Sequence, residues 1–364
     1  MKNSFFLAAL LLVIPGVSFA QEFANIEYLC ADWGPAMTLS TKTNAPPVFS
    51  ETEDEVYFLK QVGRFTRKMR PILEPLFSNS PTEDSGHGIS IYLCKMKPDG
   101  SEKTEIKELW KNPNYPIGTQ DQSTWMNVNV KTHKIVLSVL YAGSDATGLW
   151  TMNLDGSEFK QIIRPERGEK LDGFDHPSWT PDGQQIVFEE IMRGMHPQRY
   201  NLAICNATGG EFHRLLNGTD KIKYTQPSVS PDGTKIVYAV ISSSNGGLWI
   251  IDTDGNNAHL LPNPNGTGKR PHHGGIYPTW SPDGTKIFAM SAGIVDVVTG
   301  KQLLYGRPVV QNMPQLQGKH ATVVMPHWGK GGLLCSGWGG GIQLADERLE
   351  KLWILATSDL EKVE

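Results

Sequence analysis

A short turn segment recurs along this sequence at a nearly constant interval and limits the folds that the chain can adopt. The segment is Ser or Thr followed by Pro-Asp-Gly, and its prolines are Pro181, Pro231 and Pro282. These prolines are 50 and 51 residues apart, a period that is typical of sheets repeated around an axis and too long for most solenoids. A β-branched or aromatic run follows each copy and predicts a strand.

Weaker copies extend the repeat in both directions. The apolar run at residues 135–137 lies one period before the run at 186–188, Pro47 opens a first copy, and Pro326 opens a last one. Pro-Asp-Gly and the later Asp-Gly pairs each reverse the chain tightly, because Pro presets φ and Gly accepts positive φ. Each copy therefore predicts four strands joined by tight turns and longer loops.

These repeats predict an all-β fold, a six-bladed β-propeller with four-stranded antiparallel blades of about 50 residues. The predicted blades span residues 46–112, 113–165, 166–217, 218–262, 263–312 and 313–364. Tryptophans that recur at one register, such as Trp179 and Trp280, are expected to pack between blades.

Three segments resemble those of the TolB-like propeller family: Trp179-Thr-Pro-Asp-Gly, Ser230-Pro-Asp-Gly and Trp280-Ser-Pro-Asp-Gly. The resemblance runs from about residue 45 to the end of the chain. It implies a ring of six blades.

The first twenty residues have the pattern of a secretory signal, with Lys2, an apolar stretch at residues 5–14 and an expected cleavage after Ala20. Residues 21–45 follow as a segment that is a candidate to close the ring. This apolar stretch is too short to span a bilayer comfortably, and no later segment has the ~20 consecutive apolar residues of a spanning helix. We therefore expect a periplasmic or secreted monomer without a transmembrane segment.

Charge and cysteine content restrict the partners. The formal net charge of -4 gives no general reason to expect nucleic acid. The four cysteines, Cys30, Cys94, Cys205 and Cys335, permit three pairings in an oxidising compartment, but none has the Cys-x-x-Cys spacing of a zinc or redox site. We expect buried free thiols.

In a four-stranded blade, the connections from second to third strand and from fourth strand to the next blade lie on one face, which we call the loop-rich face. This face should carry six of the ten histidines and many cations and aromatics. Its proposed ligand-binding residues are His176, His196, Arg199, Tyr224, Gln226, His273 and His320. Loops also hold polar residues for solvation alone, so this grouping leaves both interpretations open.

A metal is a second possibility at the same face. Imidazole suits Mn or Zn, and the candidate ligands are His272, His273 and His320. Adjacent histidines seldom bind one ion together, which counts against this metal site. The sequence requires no cofactor. Asp252-Thr253-Asp254-Gly255 resembles the start of a calcium loop but lacks the later Glu, and it is interpreted as a hairpin turn.

Two functions fit these features. The first is a binding or scaffolding propeller that holds a protein, a peptide or an acidic glycan at its loop-rich face. The second is a lyase acting on uronate-containing polysaccharide, which needs a neutral base and a cation that stabilises the enolate. Its residues would be His176 or His272 as base, Tyr277 as acid, and Arg193 or Arg199 as the carboxylate clamp.

Overall fold

The computed structural model describes residues 47–64, 88–97, 102, 104–112, 122–141, 146–165, 173–192, 197–242, 244, 246–261, 276–290, 293–304, 323–329, 332–337, 342–345 and 352–356. The predicted signal segment and residues 21–45 lie outside these ranges. The described strands form six four-stranded antiparallel sheets, numbered 1 to 6 in chain order. Within the described ranges there is no helix long and apolar enough to span a bilayer.

The first three sheets each use four consecutive strands. Sheet 1 contains β1 (Val48–Phe49), β2 (Val56–Arg64), β3 (Gly88–Met96) and β4 (Thr104–Asn112). Sheet 2 contains β5 (Gln122–Asn129), β6 (Lys134–Tyr141), β7 (Gly148–Asn153) and β8 (Lys160–Ile163). Sheet 3 contains β9 (Gly173–Trp179), β10 (Gln185–Met192), β11 (Arg199–Asn206) and β12 (His213–Leu216).

The last three sheets follow the same order. Sheet 4 contains β13 (Ile222–Val229), β14 (Lys235–Ser242), β15 (Gly247–Asp252) and β16 (His259–Leu260). Sheet 5 contains β17 (Ile276–Trp280), β18 (Lys286–Met290), β19 (Gly293–Asp296) and β20 (Gln302–Leu304). Sheet 6 contains β21 (Val323–Gly329), β22 (Gly332–Gly337), β23 (Ile342–Ala345) and β24 (Leu352–Ala356).

The recurring turn segment joins the first and second strands of sheets 3, 4 and 5. In sheet 4, Ser230 Oγ donates to Asp232 Oδ1 at 2.6 Å, and the Lys235 amide donates to Ser230 Oγ at 2.9 Å. Gly233 has φ +76°, which is a conformation that glycine adopts without steric cost. The Ser/Thr-Pro-Asp-Gly sequence is therefore explained by local hydrogen bonds and one left-handed residue.

First strands lie against first strands of neighbouring sheets: β5 contacts β9, β9 contacts β13, β13 contacts β17, and β17 contacts β21. The first strands are thus the innermost ones and surround the axis, while the fourth strands are outermost. The prediction of an all-β propeller with four-stranded antiparallel blades is confirmed.

Apolar side chains fill the spaces between adjacent sheets. One cluster joins sheets 2 and 3 and includes the buried Trp179, and another joins sheets 4 and 5 and includes the buried Trp280. The Trp280 Nε1 donates to the carbonyl of Ser228 in the preceding sheet at 2.9 Å. These tryptophans hold sheets together because each sheet buries both of its faces.

Two details of the sequence analysis need correction. The sequence predicts a long loop of the first blade over Val62 to Ser85, but this loop begins later, because β2 continues through Arg64. His176, Gln226 and Tyr277 were assigned to the connections that enter each blade, but they lie inside β9, β13 and β17. Their strands begin earlier than hydrophobicity indicated, since each strand contains a bulge at this point.

Candidate functional site

An X-Pro pair interrupts the first strand of sheets 3, 4, 5 and 6 at the same register. In sheet 3, Ser178 pairs with Val187 and Asp175 pairs with Glu189, so that His176 and Pro177 together oppose one residue. The same shift occurs at the X-Pro pairs of the other three sheets. Proline has no N–H to contribute to a ladder, so a bulge is where a strand tolerates it.

In sheets 3, 4 and 5, the residue before the proline has an unusual backbone conformation. His176, Gln226 and Tyr277 have φ values of 50°, 56° and 54°, in the left-handed region that residues other than glycine seldom occupy. Residues held in this way concentrate at functional sites, because the surrounding structure must compensate for the strain.

Sheet 2 has Trp125 at the equivalent position, followed by Met126 instead of proline. Its first strand pairs with β6 without a shift, in agreement with the absence of proline. We call Trp125, His176, Gln226 and Tyr277 the channel layer. They occupy one register of four successive inner strands and therefore meet around the axis.

Aromatic rings of the channel layer cross the channel. The rings of Trp125 and Tyr277 are stacked, with centroids 5.5 Å apart and an interplanar angle of 9°. The ring of His176 lies 4.5 Å from that of Trp125 and 5.7 Å from that of Tyr277. Because Trp125 belongs to sheet 2 and Tyr277 to sheet 5, side chains of two sheets that are not neighbours in chain order meet here.

Two buried carboxylates hold His176. Its Nδ1 lies 3.0 Å from Glu189 Oε2 and 3.9 Å from Asp175 Oδ2. A carboxylate accepts hydrogen bonds, so Nδ1 carries the hydrogen and donates it to Glu189. Asp175 Oδ1 in turn accepts from Ser138 Oγ at 3.0 Å and from the His176 amide at 2.9 Å. The imidazole is therefore fixed in orientation.

The hydrogen bonds continue into the next two sheets. Glu189 Oε2 also accepts from the Gln226 amide at 3.1 Å, and Gln226 Oε1 accepts from the Tyr277 amide at 2.9 Å. Each of these amides is directed away from its own ladder by the bulge, and a side chain of the preceding sheet satisfies it. The bulges and the polar side chains thus depend on each other.

The two carboxylates determine the protonation of their neighbours. Burial by itself lowers the pKa of His176, but the charges of Asp175 and Glu189 and the hydrogen bond to Glu189 outweigh it, so the pKa lies above its usual value. Burial, reinforced by the charges of Asp175 and Glu189, raises the pKa of Tyr277 to about 12. The layer therefore favours an imidazolium and a neutral phenol.

Three polar atoms of the channel layer have unused hydrogen-bonding capacity. Within the described part of the chain, no hydrogen bond is formed by His176 Nε2, Gln226 Nε2 or Tyr277 Oη. The other polar atoms of the first two side chains are paired, His176 Nδ1 with Glu189 and Gln226 Oε1 with the Tyr277 amide. None of these three atoms is among the fully buried unpaired side-chain atoms of the described residues. The side chain of His176 is 12% exposed.

The structure brings together some of the predicted site residues and separates others. His176, Gln226 and Tyr277 meet in the channel layer. Tyr224 packs instead against Tyr238, with ring centroids 6.0 Å apart. Arg199 is exposed at the start of β11, two strands outward from His176. The remaining candidates, which lie outside the described residues, are Arg193, His196, His272, His273 and His320.

The predicted metal ligands all lie outside the described residues; they are His272, His273 and His320. Among the residues that the structure describes, no group of three or more His, Cys, Asp or Glu side chains could hold a metal ion. Asp252 pairs with Lys235 Nζ at 2.8 Å and accepts from Asn257 Nδ2 at 2.6 Å. These contacts agree with the interpretation of that segment as a hairpin turn.

Sequence reasoning missed four residues of this site: Trp125, Ser138, Asp175 and Glu189. Trp125 and Ser138 share the registers of His176 and Glu189, one repeat earlier, so an alignment of the repeats identifies them. Glu189 is a charged residue within a strand where the corresponding residue of sheet 4 is Ala239. The charge of Glu189 at a strand position that is buried is the sequence signal by which it could have been recognised.

Comparison with known proteins gives one match to a curated relative. No family model matches the chain. The Tol-Pal system protein TolB of Anaeromyxobacter dehalogenans (strain 2CP-C) is 25% identical over 125 residues, which cover 34% of this chain and 26% of that protein. The chain therefore matches about a quarter of the length of that relative. The match confirms the resemblance predicted from the turn segments.

Solved structures show weaker likenesses. A putative TolB from Agrobacterium tumefaciens is 12% identical, with 74% of this chain and 76% of that chain covered and a TM-score of 0.39. An oligogalacturonate lyase from Vibrio parahaemolyticus is 13% identical, with 68% of this chain and 62% of that chain covered and a TM-score of 0.42. At these values neither likeness bears on function.

Proposed function

We propose that this TolB-like β-propeller is an exported binding protein in which six blades close into a ring and a ligand occupies the channel at its loop-rich mouth. The contact of β1 with β21, where the rings of Phe49 and His327 lie 6.5 Å apart, supports closure between sheets 1 and 6. The segment at residues 1–20, with its cleavable pattern, supports export.

One observation carries the proposal. Three successive inner strands present His176, Gln226 and Tyr277 at the axis in a strained conformation, and each has a polar atom without a partner among the described residues. A lining with only a structural role would be more stable if apolar, since buried polar groups cost free energy unless they are paired. Unused polar atoms on an inner wall are suited to a ligand.

The experiment is a ligand-observed NMR screen of peptides and oligosaccharides against the mature chain. A ligand of the channel should bind the wild type and lose at least about tenfold in affinity with Gln226→Leu, which removes one hydrogen-bonding group. His213→Gln is the matched control, because His213 is exposed on β12 and its ring contacts the carbonyl of Glu211 at 3.0 Å. Binding that is unchanged by Gln226→Leu and His176→Gln would contradict the channel as the site.

A uronate lyase is the second candidate, and the contact between the rings of His176 and Tyr277 favours it. The raised pKa of His176 opposes it, since a protonated imidazole is a poor base. Arg199 is also two strands away from the layer. Incubation with acidic polysaccharides, with and without Mn or Zn, tests this function by the absorbance of unsaturated uronate. Activity that disappears with His176→Ala or His272→Ala would establish the lyase.

A further inference from the structure

We propose that a second site on the loop-rich face binds an acidic peptide segment that carries an apolar side chain. The site, which we call the basic patch, lies where the ends of sheets 3 and 4 meet, and it consists of Arg199, Tyr200, Lys221, Lys223 and Ile241. It shares no residue with the channel layer, so this inference goes beyond the proposed function.

Three segments form the basic patch at the loop-rich ends of their strands. Arg199 and Tyr200 are the first residues of β11, Lys221 directly precedes β13, and Ile241 is the penultimate residue of β14. The strands β11 and β13 are in contact, and Lys223 pairs with Ile241 in the ladder of sheet 4. Directly opposite residues have neighbouring side chains on one face of a sheet. Lys223 therefore connects the aliphatic side chain of sheet 4 with the residues of sheet 3.

The cations of the patch have no anionic partner in the described part of the chain. Arg199 and Lys221 are exposed, and neither of them nor Lys223 forms a salt bridge with a described carboxylate. Asp220, beside Lys221, is an exposed carboxylate of the same connection. An anionic partner engages these cations without breaking an ion pair of the described residues. Charge complementarity of this kind directs association and selects the partner.

The patch also presents apolar surface to solvent. Ile241 is 51% exposed, although isoleucine is among the residues that are most often fully buried. Single exposed apolar residues are common, but this one lies beside a cation that contacts the ring of Tyr200. Tyrosine, arginine and a central apolar group are the composition of protein interfaces.

This combination favours a peptide over the other anionic partners. An aliphatic side chain such as that of Ile241 has no hydrogen-bonding group for the hydroxyls of an acidic glycan. A surface that inserts into an anionic bilayer needs a wide apolar face, whereas Ile241 is the one exposed large apolar side chain among the described residues of the patch. A peptide supplies carboxylates and an apolar side chain together.

The patch is ordered before a partner binds. The ammonium of Lys223 lies 4.3 Å from the centroid of the Tyr200 ring, a cation–π contact that restricts both side chains. The connection that carries Lys221 is anchored to sheet 3, because the Gly218 amide donates to the buried Asn201 Oδ1 at 2.8 Å. A surface ordered in advance loses less conformational entropy on binding.

The test uses a library of short peptides against the mature chain. The central position is Leu, Phe or Ser, and the flanking positions are Asp, Ser or Lys. We expect enrichment of peptides with several Asp around Leu or Phe. Fluorescence polarisation then compares the best peptide with its Ser-centred and Lys-flanked counterparts. Its affinity should decrease about tenfold as the ionic strength rises from about 20 to 200 mM, because the patch is exposed to solvent.

Two kinds of variant separate the charge from the apolar contact. Lys223→Glu should weaken binding of the acidic peptide at least about tenfold. Arg199→Glu repeats the charge reversal on sheet 3, so that misfolding of one variant, judged by circular dichroism, leaves the other to decide. Ile241→Ser should weaken binding of the Leu-centred peptide about fivefold and leave that of the Ser-centred peptide unchanged.

The matched controls lie on the opposite face. Lys131→Glu makes the same charge change at an exposed residue in the turn between β5 and β6. Val298→Ser makes the same apolar-to-polar change in the turn between β19 and β20, where Val298 is 85% exposed. Both should leave the affinity for the acidic peptide unchanged.

Three results would overturn the inference. The first is a library without enrichment of acidic peptides that have an apolar centre. The second is enrichment of such peptides with an affinity that neither Lys223→Glu nor Arg199→Glu changes. The third is tighter binding of phosphatidylglycerol vesicles or of polygalacturonate, which would identify a bilayer or a glycan as the partner. The channel is tested separately by Gln226→Leu, so either site can fail while the other stands.

Discussion

The indole of Trp125 lies parallel to the ring of Tyr277 across the channel, although sheets 3 and 4 separate their two sheets along the chain. This contact joins inner strands of two sheets that are not neighbours in chain order. It also couples the halves of the fold through side chains, beyond the contacts between adjacent sheets.

This contact predicts an energetic coupling between the two residues. Trp125→Leu, Tyr277→Leu and the double variant form a cycle in which we expect a coupling of about 1 kcal/mol, typical of an aromatic pair. Urea unfolding measures the four free energies. Trp125→Phe retains a ring and should keep most of the coupling. Strictly additive effects would mean that the stack contributes no stability of its own.

The His176 cluster predicts a pH dependence of stability. Because the folded pKa of His176 lies above 6.5, the folded chain holds its proton more tightly than the unfolded chain. The stabilisation is fully present below pH ~6.5 and is lost as pH rises through the folded pKa. Asp175, Glu189 and Tyr277 are the titratable described groups that face the imidazole.

Unfolding free energies of wild type and His176→Gln, measured from pH 5 to 9, test this dependence. Gln is a suitable replacement because Gln226 occupies the same bulge position in sheet 4. The excess stability of the wild type should decrease as pH rises. His327, whose pKa burial lowers to about 4, contributes equally to both proteins and cancels. A difference that is constant or increases with pH would exclude the cluster as its source.

Much of this architecture follows from the sequence. The spacing of Pro181, Pro231 and Pro282 predicts the repeat, because turn chemistry is local and each Ser/Thr-Pro-Asp-Gly segment satisfies its own hydrogen bonds. His176, Gln226 and Tyr277 are also among the predicted site residues, because the sequence places them at the loop-rich face, close to the start of the first strands. The unusual backbone at these positions was not foreseen, although an X-Pro pair inside a strand is itself a signal of a bulge.

The polar partners of the site depend on tertiary contacts that the sequence does not specify. Glu189 meets His176 within its own sheet but meets the Gln226 amide only because β10 packs near β13. Tyr224 shows the opposite case. It lies two residues before Gln226 and resembles a site residue in type, yet its ring packs on that of Tyr238.

Removal of the Glu189 carboxylate should destabilise the fold strongly. Glu189→Ala leaves His176 Nδ1 and the Gln226 amide without their acceptor in a buried place. We expect a loss of about 3–5 kcal/mol in the free energy of unfolding. Glu158→Ala is the control, because Glu158 forms an exposed ion pair with Lys134 that is worth about 0–1 kcal/mol. Equal losses in the two variants would show that Glu189 is not a structural acceptor.

The turn aspartates should stabilise their hairpins. Asp283 Oδ1 accepts from Ser281 Oγ at 2.6 Å and from the Thr285 amide at 3.0 Å, and these bonds lower its pKa to about 2. Asp283→Ala should cost about 1–2 kcal/mol at neutral pH. The stabilisation is present above the ordinary value of 3.8 and is lost as pH falls toward 2.

Asp220→Ala is the control for this substitution, since Asp220 is exposed and forms no hydrogen bond with the described residues. It should change the unfolding free energy by less than about 0.5 kcal/mol. If Asp283→Ala and Asp220→Ala have the same effect, the Ser-Pro-Asp-Gly turn is specified by proline and glycine alone.

The buried thiols should resist modification in the folded protein. Cys94 and Cys205 are buried and form no disulfide with a described residue, and burial raises the pKa of Cys205 to about 12. The reactive thiolate is then scarce at pH 8, about one part in ten thousand, and the reagent cannot reach it. Iodoacetamide should label Cys205 only after unfolding, as measured by mass spectrometry of the peptide that contains it. Labelling within minutes in the native state would show that sheet 3 opens locally at β11, because the thiol is otherwise covered on both sides by apolar side chains of sheets 2 and 3.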